Sequence, residues 1–143
     1  MTGLSPAIDL KEMFSGFAVY LGLELLEYGQ ACTIITLQVR PEHLNQAGNL
    51  HGGVIASMAD AAMGMCGTWH ADPAQWRLSL TLSLNINYVA SAPPGSRVRA
   101  IARLRGGGPK IYMASCDLLD AEGNLLASAE GVFKRSRLRH APA

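Results

Sequence analysis

Residues 48–69 read GNLHGGVIASMADAAMGMCGTW, and from Gly52 to about Trp69 they have the spacing of a helix that is apolar nearly all round. A helix lying on a surface shows one apolar stripe; one without a polar face must be buried on most sides. The rest of the chain has to wrap it. The segment after it, RLSLTLSLNINYV from Arg77, alternates strictly. Leu78, Leu80, Leu82, Leu84, Ile86 and Tyr88 share one face, and Ser79, Thr81, Ser83, Asn85 and Asn87 share the other, which predicts a strand. Three further strands, SRVRAIARLR, KIYMASCDLL and NLLASAEGVFKR, follow an APPG break and are joined by GGGP and DAEG turns. One buried helix and a run of antiparallel strands make an α+β fold, a sheet wrapped around a long central helix. A half-wrap leaves a strand edge and a sheet face uncovered, so an oligomer is expected.

Before the helix, SPAIDLKEMFSGFAVYLG predicts a short helix with Ser5 as N-cap and Pro6 at its first position. LELLEY and ACTIITLQV read as two strands, and RPEHLNQAGN reads as a loop. There is no internal repeat and no linker. The expectation is one domain over residues 1–143, with a core of about 17–134 and a basic tail over 135–143, frayed from Ser136.

Composition narrows the function. With 49% hydrophobic and 16% charged residues, the chain is globular rather than disordered. A net charge of +1 argues against a general nucleic-acid binder. Nine of the twelve Lys and Arg lie at or after Arg97, against four acids there, a balance that suits either an anionic ligand or ordinary solvated strands. Three widely spaced cysteines, Cys32, Cys66 and Cys116, form no CxxC pair and read as reduced thiols, hence a cytoplasmic protein. The opening residues have no apolar signal core. The apolar helix, rich in Gly and Ala and interrupted by Asp60, is a poor membrane span.

Several residues could carry chemistry. His51-Gly52-Gly53 sits where a loop becomes a helix, and a helix N-terminus presents unpaired N–H groups and a partial positive charge. Glycines there admit a close approach to the backbone, as an oxyanion hole requires; they equally relieve a tight junction that His51 caps. Asp60 on so apolar a helix is either a structural carboxylate bonded to a backbone group or hydroxyl, or a general base or nucleophile. Thr81 and its polar row are either a solvent face or the lining of a polar cleft or subunit contact. RLRGGGPK lacks P-loop order and reads as a hairpin, with Arg103, Arg105 and Lys110 beside it able to hold phosphates. His43, His51, Asp60 and His70 match no metal-ligand spacing. Ser57 with His51 and Asp60 cannot easily converge into a triad, and no GxSxG elbow exists.

NQAGNLHGGVIASMADAAMG followed by TLSLNINYVASAPPG resembles the phenylacetate-degradation (PaaI-like) type of acyl-CoA thioesterase in the hotdog-fold superfamily. The likeness runs from about Phe17 to Lys134, with Asn45, Gly48, His51, Gly52, Gly53 and Asp60 in the family's order and spacing. It implies a hotdog fold, a homodimer or dimer of dimers, and active sites shared between subunits. By the same likeness the Gly52 N–H would polarise the thioester carbonyl, and Asp60 of the partner would activate water or attack directly. Asn45 would position water or thioester, with Asn49 a second amide nearby. His51 would orient the loop and bond to Asn45 or the ligand, Thr81 would help hold the water, and Gly53 would lie at the substrate. The implied reaction converts acyl-CoA to free acid and CoA, with no metal or organic cofactor. The alternatives are a hotdog hydratase or dehydratase, whose His-centred motifs are absent here, and a non-catalytic acyl-CoA binder. Met58, Met63, Met65 and Trp69 either shape the acyl pocket or belong to the core.

Overall fold

The computed structural model describes residues 9–139. Ser5 and Pro6, the expected helix start, lie outside the described residues, as do residues 140–143. The first described segment is not one helix. A 3-10 turn over Leu10–Met13, capped by the Asp9 carboxylate, is followed by α1, Phe17–Leu21. Gly16 separates them at φ 59°, a conformation glycine adopts without penalty and one that interrupts a right-handed helix.

Six antiparallel strands form one sheet: β1 (Glu24–Gly29), β2 (Cys32–Gln38), β3 (Arg77–Tyr88), β4 (Arg97–Gly107), β5 (Ile111–Leu119) and β6 (Leu125–Arg139). Their spatial order is β1-β2-β4-β5-β6-β3. The sheet curls around α2, Gly52–Cys66, which buries Ile55, Met58, Ala59, Ala62, Met63 and Cys66 against it. The residues expected to be frayed at 136–139 instead continue β6, with Arg139 opposite Arg77 at the far end of β3.

Helix α2 stops at Cys66, three residues short of the expected end. Gly67 follows because a Cβ there would lie 2.5 Å from the Tyr112 ring. Side chains then take up the carbonyls that every helix end leaves without partners. The Tyr112 hydroxyl lies 2.9 and 2.8 Å from Met63 O and Gly64 O, Ser79 Oγ donates to Gly64 O at 2.6 Å, and Arg135 Nε donates to Gly67 O at 2.6 Å. Arg135 also lies 4.6 Å over the Tyr112 ring. The helix end is thereby fixed to three strands.

The apolar face of β3 turns toward the helix only in its second half. Between Thr81 and Ser83 the pairing to β6 slips by one residue, a bulge that inserts Leu82 and reverses which parity faces the helix. Before the bulge Thr81 lies opposite buried Phe133; after it Ile86 and Tyr88 lie opposite buried Ala129 and Ala127. Leu80 and Leu82 remain 59% and 54% exposed on this edge strand. Among the described residues no helix is long and apolar enough to cross a membrane.

Candidate active site

The reversal at Leu82 carries Thr81 to the helix side of the sheet. Its hydroxyl donates to Asp60 Oδ1 at 2.6 Å, a short charge-assisted contact. The bond answers how an apolar helix tolerates a carboxylate: Asp60 is half-buried and one of its oxygens has a dedicated donor. Oδ2 has no partner among the described residues. Asp60 and Thr81 together open onto a cavity of about 320 Å³ that also touches Met13, Phe14, Met65 and Tyr28.

The start of α2 forms a second, separate cluster. His51 is its N-cap: Nδ1 accepts the Gly53 N–H at 2.8 Å, so the proton of the neutral ring resides on Nε2. Gly53's N–H is therefore occupied, and His51 bonds to the helix rather than to Asn45. Asn45 Oδ1 accepts the N–H groups of Ala47 and Asn49 at 3.0 and 3.1 Å, which folds the loop and leaves the Asn45 amide nitrogen without a partner among the described residues. The Gly52 N–H likewise has none there. Tyr88 lies over Gly52, its hydroxyl donating to Gly52 O at 2.8 Å, and any Cβ on Gly52 would approach the ring to 3.2 Å. Asn45, Asn49, Gly52, Ile55 and Tyr88 border a cavity of about 420 Å³. The sequence does not mark Tyr88 as a site residue. Alternation places Tyr88 on the apolar face with Leu84 and Ile86, and nothing local tells that it meets Gly52 there.

Among the described residues none borders both cavities. Asp60 is eight residues beyond Gly52, about 12 Å along a helix rising 1.5 Å per residue. Reacting groups must come within about 3–3.5 Å. Within one chain the two clusters are therefore too far apart to act on one atom.

The remaining candidates sit elsewhere. His43 is buried, with Nδ1 accepting the Arg40 N–H at 2.9 Å and Nε2 donating to Leu21 O at 2.8 Å, so both nitrogens serve the backbone. Met58 and Met63 are core; Met65 reaches the Asp60 cavity. Arg103 alternates with inward-facing Ala102, and Arg105 borders a depression with Ser83 and Asn85 on the outer sheet face, away from α2. Lys110 is exposed at the β4–β5 turn. Burial pushes the thiols of Cys66 and Cys116 up to about 12, so neither supplies a thiolate nucleophile.

A family model described as the thioesterase superfamily matches residues 47–127, a span that includes Gly52, Asp60 and Thr81. The medium/long-chain acyl-CoA thioesterase YigI of Salmonella typhimurium is 30% identical, over 79% of this chain and 81% of that protein. Acyl-coenzyme A thioesterase 13 of Homo sapiens is 30% identical, over 66% of each chain. A variant of the phenylacetic acid degradation protein PaaI from Thermus thermophilus superposes with a TM-score of 0.74 at 25% identity, covering 84% of this chain and 98% of that one.

Proposed function

The chain belongs to the thioesterase superfamily and shares its hotdog fold, and from that premise we propose that it hydrolyses an acyl-CoA thioester at a site completed by two subunits. The observation that carries the reading is the Thr81–Asp60 pair, 2.6 Å apart, at the mouth of a cavity. A carboxylate with one oxygen held by a hydroxyl and the other free is arranged to take a proton from water.

The Gly52 N–H of one subunit, at the positive end of α2, stabilises the carbonyl oxygen as it gains charge. Asp60 Oδ2 of the other removes a proton from water, whose oxygen bonds to the carbonyl carbon. Collapse of the adduct breaks the C–S bond and releases CoA thiolate and the acid; the proton held by Asp60 passes to the thiolate through water, which restores the carboxylate. The amide nitrogen of Asn45 and the side chain of Asn49 are the polar groups nearest Gly52 able to orient the thioester. The exposed cations Arg103, Arg105 and Lys110 are offered to the CoA phosphates, which stay solvated in the bound state. The reaction as written needs neither metal nor organic cofactor.

Release of free thiol from a panel of aryl-, short- and medium-chain acyl-CoAs tests the reaction. The expected result is hydrolysis that Asp60→Asn slows by about 10²–10⁴ in kcat, the range for loss of a general base, with melting temperature and acyl-CoA binding retained. A folded Asp60→Asn protein keeping more than about a tenth of the parent kcat would remove Asp60 from the mechanism.

A further inference from the structure

Helix α2 begins with two glycines in a row, Gly52 and Gly53, the residue type with the least restraint on φ and ψ. A donor that has to be fixed in advance is poorly placed there unless something outside the helix holds it. The N–H groups from Leu50 to Ile55 are used almost in turn. Leu50 donates to Ala92 O and His51 to His43 O, both at 2.8 Å. Gly53 donates to His51 Nδ1 at 2.8 Å, and Val54 and Ile55 donate to His51 O at 2.9 and 3.3 Å. Within this run only the Gly52 N–H has no partner among the described residues.

Two planar peptide units decide where that N–H points. The His51–Gly52 unit contains it, and the carbonyl of this unit is held by Val54 and Ile55. The Gly52–Gly53 unit is held at both ends by side chains, its N–H by His51 Nδ1 and its carbonyl by the Tyr88 hydroxyl at 2.8 Å. Only φ and ψ of Gly52 separate the two planes. His51 is part of the same junction and moves with it. Tyr88 is not: it ends β3, opposite Ala127 of β6. The chain just beyond it is tied down, since Val89 and Ala90 N–H donate to Leu126 O at 2.8 and 3.1 Å. Tyr88 therefore links the glycine pair to the sheet. Its ring stands where a side chain at position 52 would be, 3.2 Å from an ideal Cβ, so glycine at 52 is what lets the hydroxyl reach the carbonyl. At 54% exposure Tyr88 is no core residue, and packing does not account for this contact.

We propose that Tyr88 is a positioning residue for the reaction: its hydroxyl ties the Gly52–Gly53 peptide to the sheet and so keeps the Gly52 N–H aimed at the thioester oxygen. The inference rests on the acyl-CoA thioesterase reading above. Tyr88 acts through Gly52 and needs no contact with the substrate. Its effect belongs in kcat rather than KM, because the carbonyl oxygen gains its charge only on the way to the transition state. Mounting the restraint on a strand end rather than on the loop gives the donor a rigid support.

The test compares the parent with Tyr88→Phe, which removes the hydroxyl and keeps the ring, in two measurements. The first is NMR relaxation after glycine-selective isotope labelling. The order parameters of the Gly52 and Gly53 amides should fall from about 0.85, the rigid-backbone value, to below about 0.6, while Gly64 near the other end of α2 stays rigid. The second is thiol release from the acyl-CoA panel. There kcat should fall about tenfold with KM and melting temperature nearly unchanged, since misplacing a reacting group by about 1 Å can cost 10²-fold. Glycine amides as ordered as in the parent, or an unchanged kcat per folded molecule, overturn the role of Tyr88 and leave the thioesterase reading standing. A raised KM at constant kcat also overturns it, because that marks a direct hold on the substrate. Absence of hydrolysis by the parent on every acyl-CoA overturns both.

Discussion

At the scale of single residues, the site depends on one hydrogen bond that ties a helix to a strand. Thr81 fixes Asp60 Oδ1 and so leaves Oδ2 as the oxygen able to act on a ligand in the cavity. Its contribution is orientation, and a misplacement of about 1 Å can cost 10²-fold in rate. Thr81→Val is expected to lower kcat by about tenfold to a hundredfold with little change in KM, and Thr81→Ser to restore most of it. A purely structural threonine would give the opposite split: a lower melting temperature, an unaltered kcat per folded molecule, and no advantage of Ser over Val. His51 shows the other outcome for a residue that attracts attention in the sequence. Its ring accepts the Gly53 N–H, the ordinary work of an N-cap, and its side chain stabilises α2 whatever else it touches.

At the scale of elements, α2 and the strand set were legible because their signals are local. A helix without a polar face must be buried, and alternating strands must wrap it. Asp60, Gly52 and Asn45 could be singled out for the same reason, as chemistry out of keeping with its surroundings. What alternation could not reveal is register. The extra residue at Leu82 makes Thr81 and Tyr88 share the inner face although their numbers differ in parity, and it leaves Leu80 and Leu82 outside. A bulge is set by pairing with β6, which is distant in sequence, so no window along β3 contains it. Deleting Leu82 should regularise the ladder and keep Thr81 inward, because Thr81 still pairs with Phe133 and then shares the parity of Leu84, Ile86 and Tyr88. The expected outcome is a folded protein by circular dichroism whose kcat stays above that of Thr81→Val. Likewise the early end of α2 and the length of β6 depend on Tyr112, Ser79 and Arg135 reaching the last helical carbonyls, contacts made only once the sheet has formed.

At the scale of the whole molecule, two properties follow from the way the core and the edge are built. Cys66, Cys116 and Tyr28 each titrate near 12 in the fold, against ordinary values of 9 for the thiols and 10 for the phenol, because burial disfavours their charged forms. The native state therefore binds more protons than the unfolded chain above about pH 9. Stability should be level up to that point and fall progressively between about pH 9 and 12, read as the midpoint of denaturant unfolding. Cys66→Ala and Cys116→Ala should each flatten part of that decline. The second property is the separation of Gly52 from Asp60 beside an exposed strand edge. β3 is a twelve-residue strand on the sheet's edge with apolar side chains exposed along it, a surface that pairing with a second copy would cover. Such pairing would also bring the Gly52 end of one α2 toward Asp60 of the other, closing a gap of about 12 Å that no single chain can close. Light scattering at micromolar concentration should give at least a dimer mass. Complementation then tests sharing directly. Asp60→Asn destroys one half-site, and Gly52→Val, whose side chain would meet the Tyr88 ring, destroys the other. Each variant alone should be nearly inactive. Co-expressed in equal amounts, half of the dimers pair one variant with the other, and in these one site receives both defects while its twin receives neither. About a quarter of the parent activity per site should return, by the symmetry of a twofold dimer. If each site drew Gly52 and Asp60 from the same chain, every site would carry one defect or the other and no activity would return on mixing.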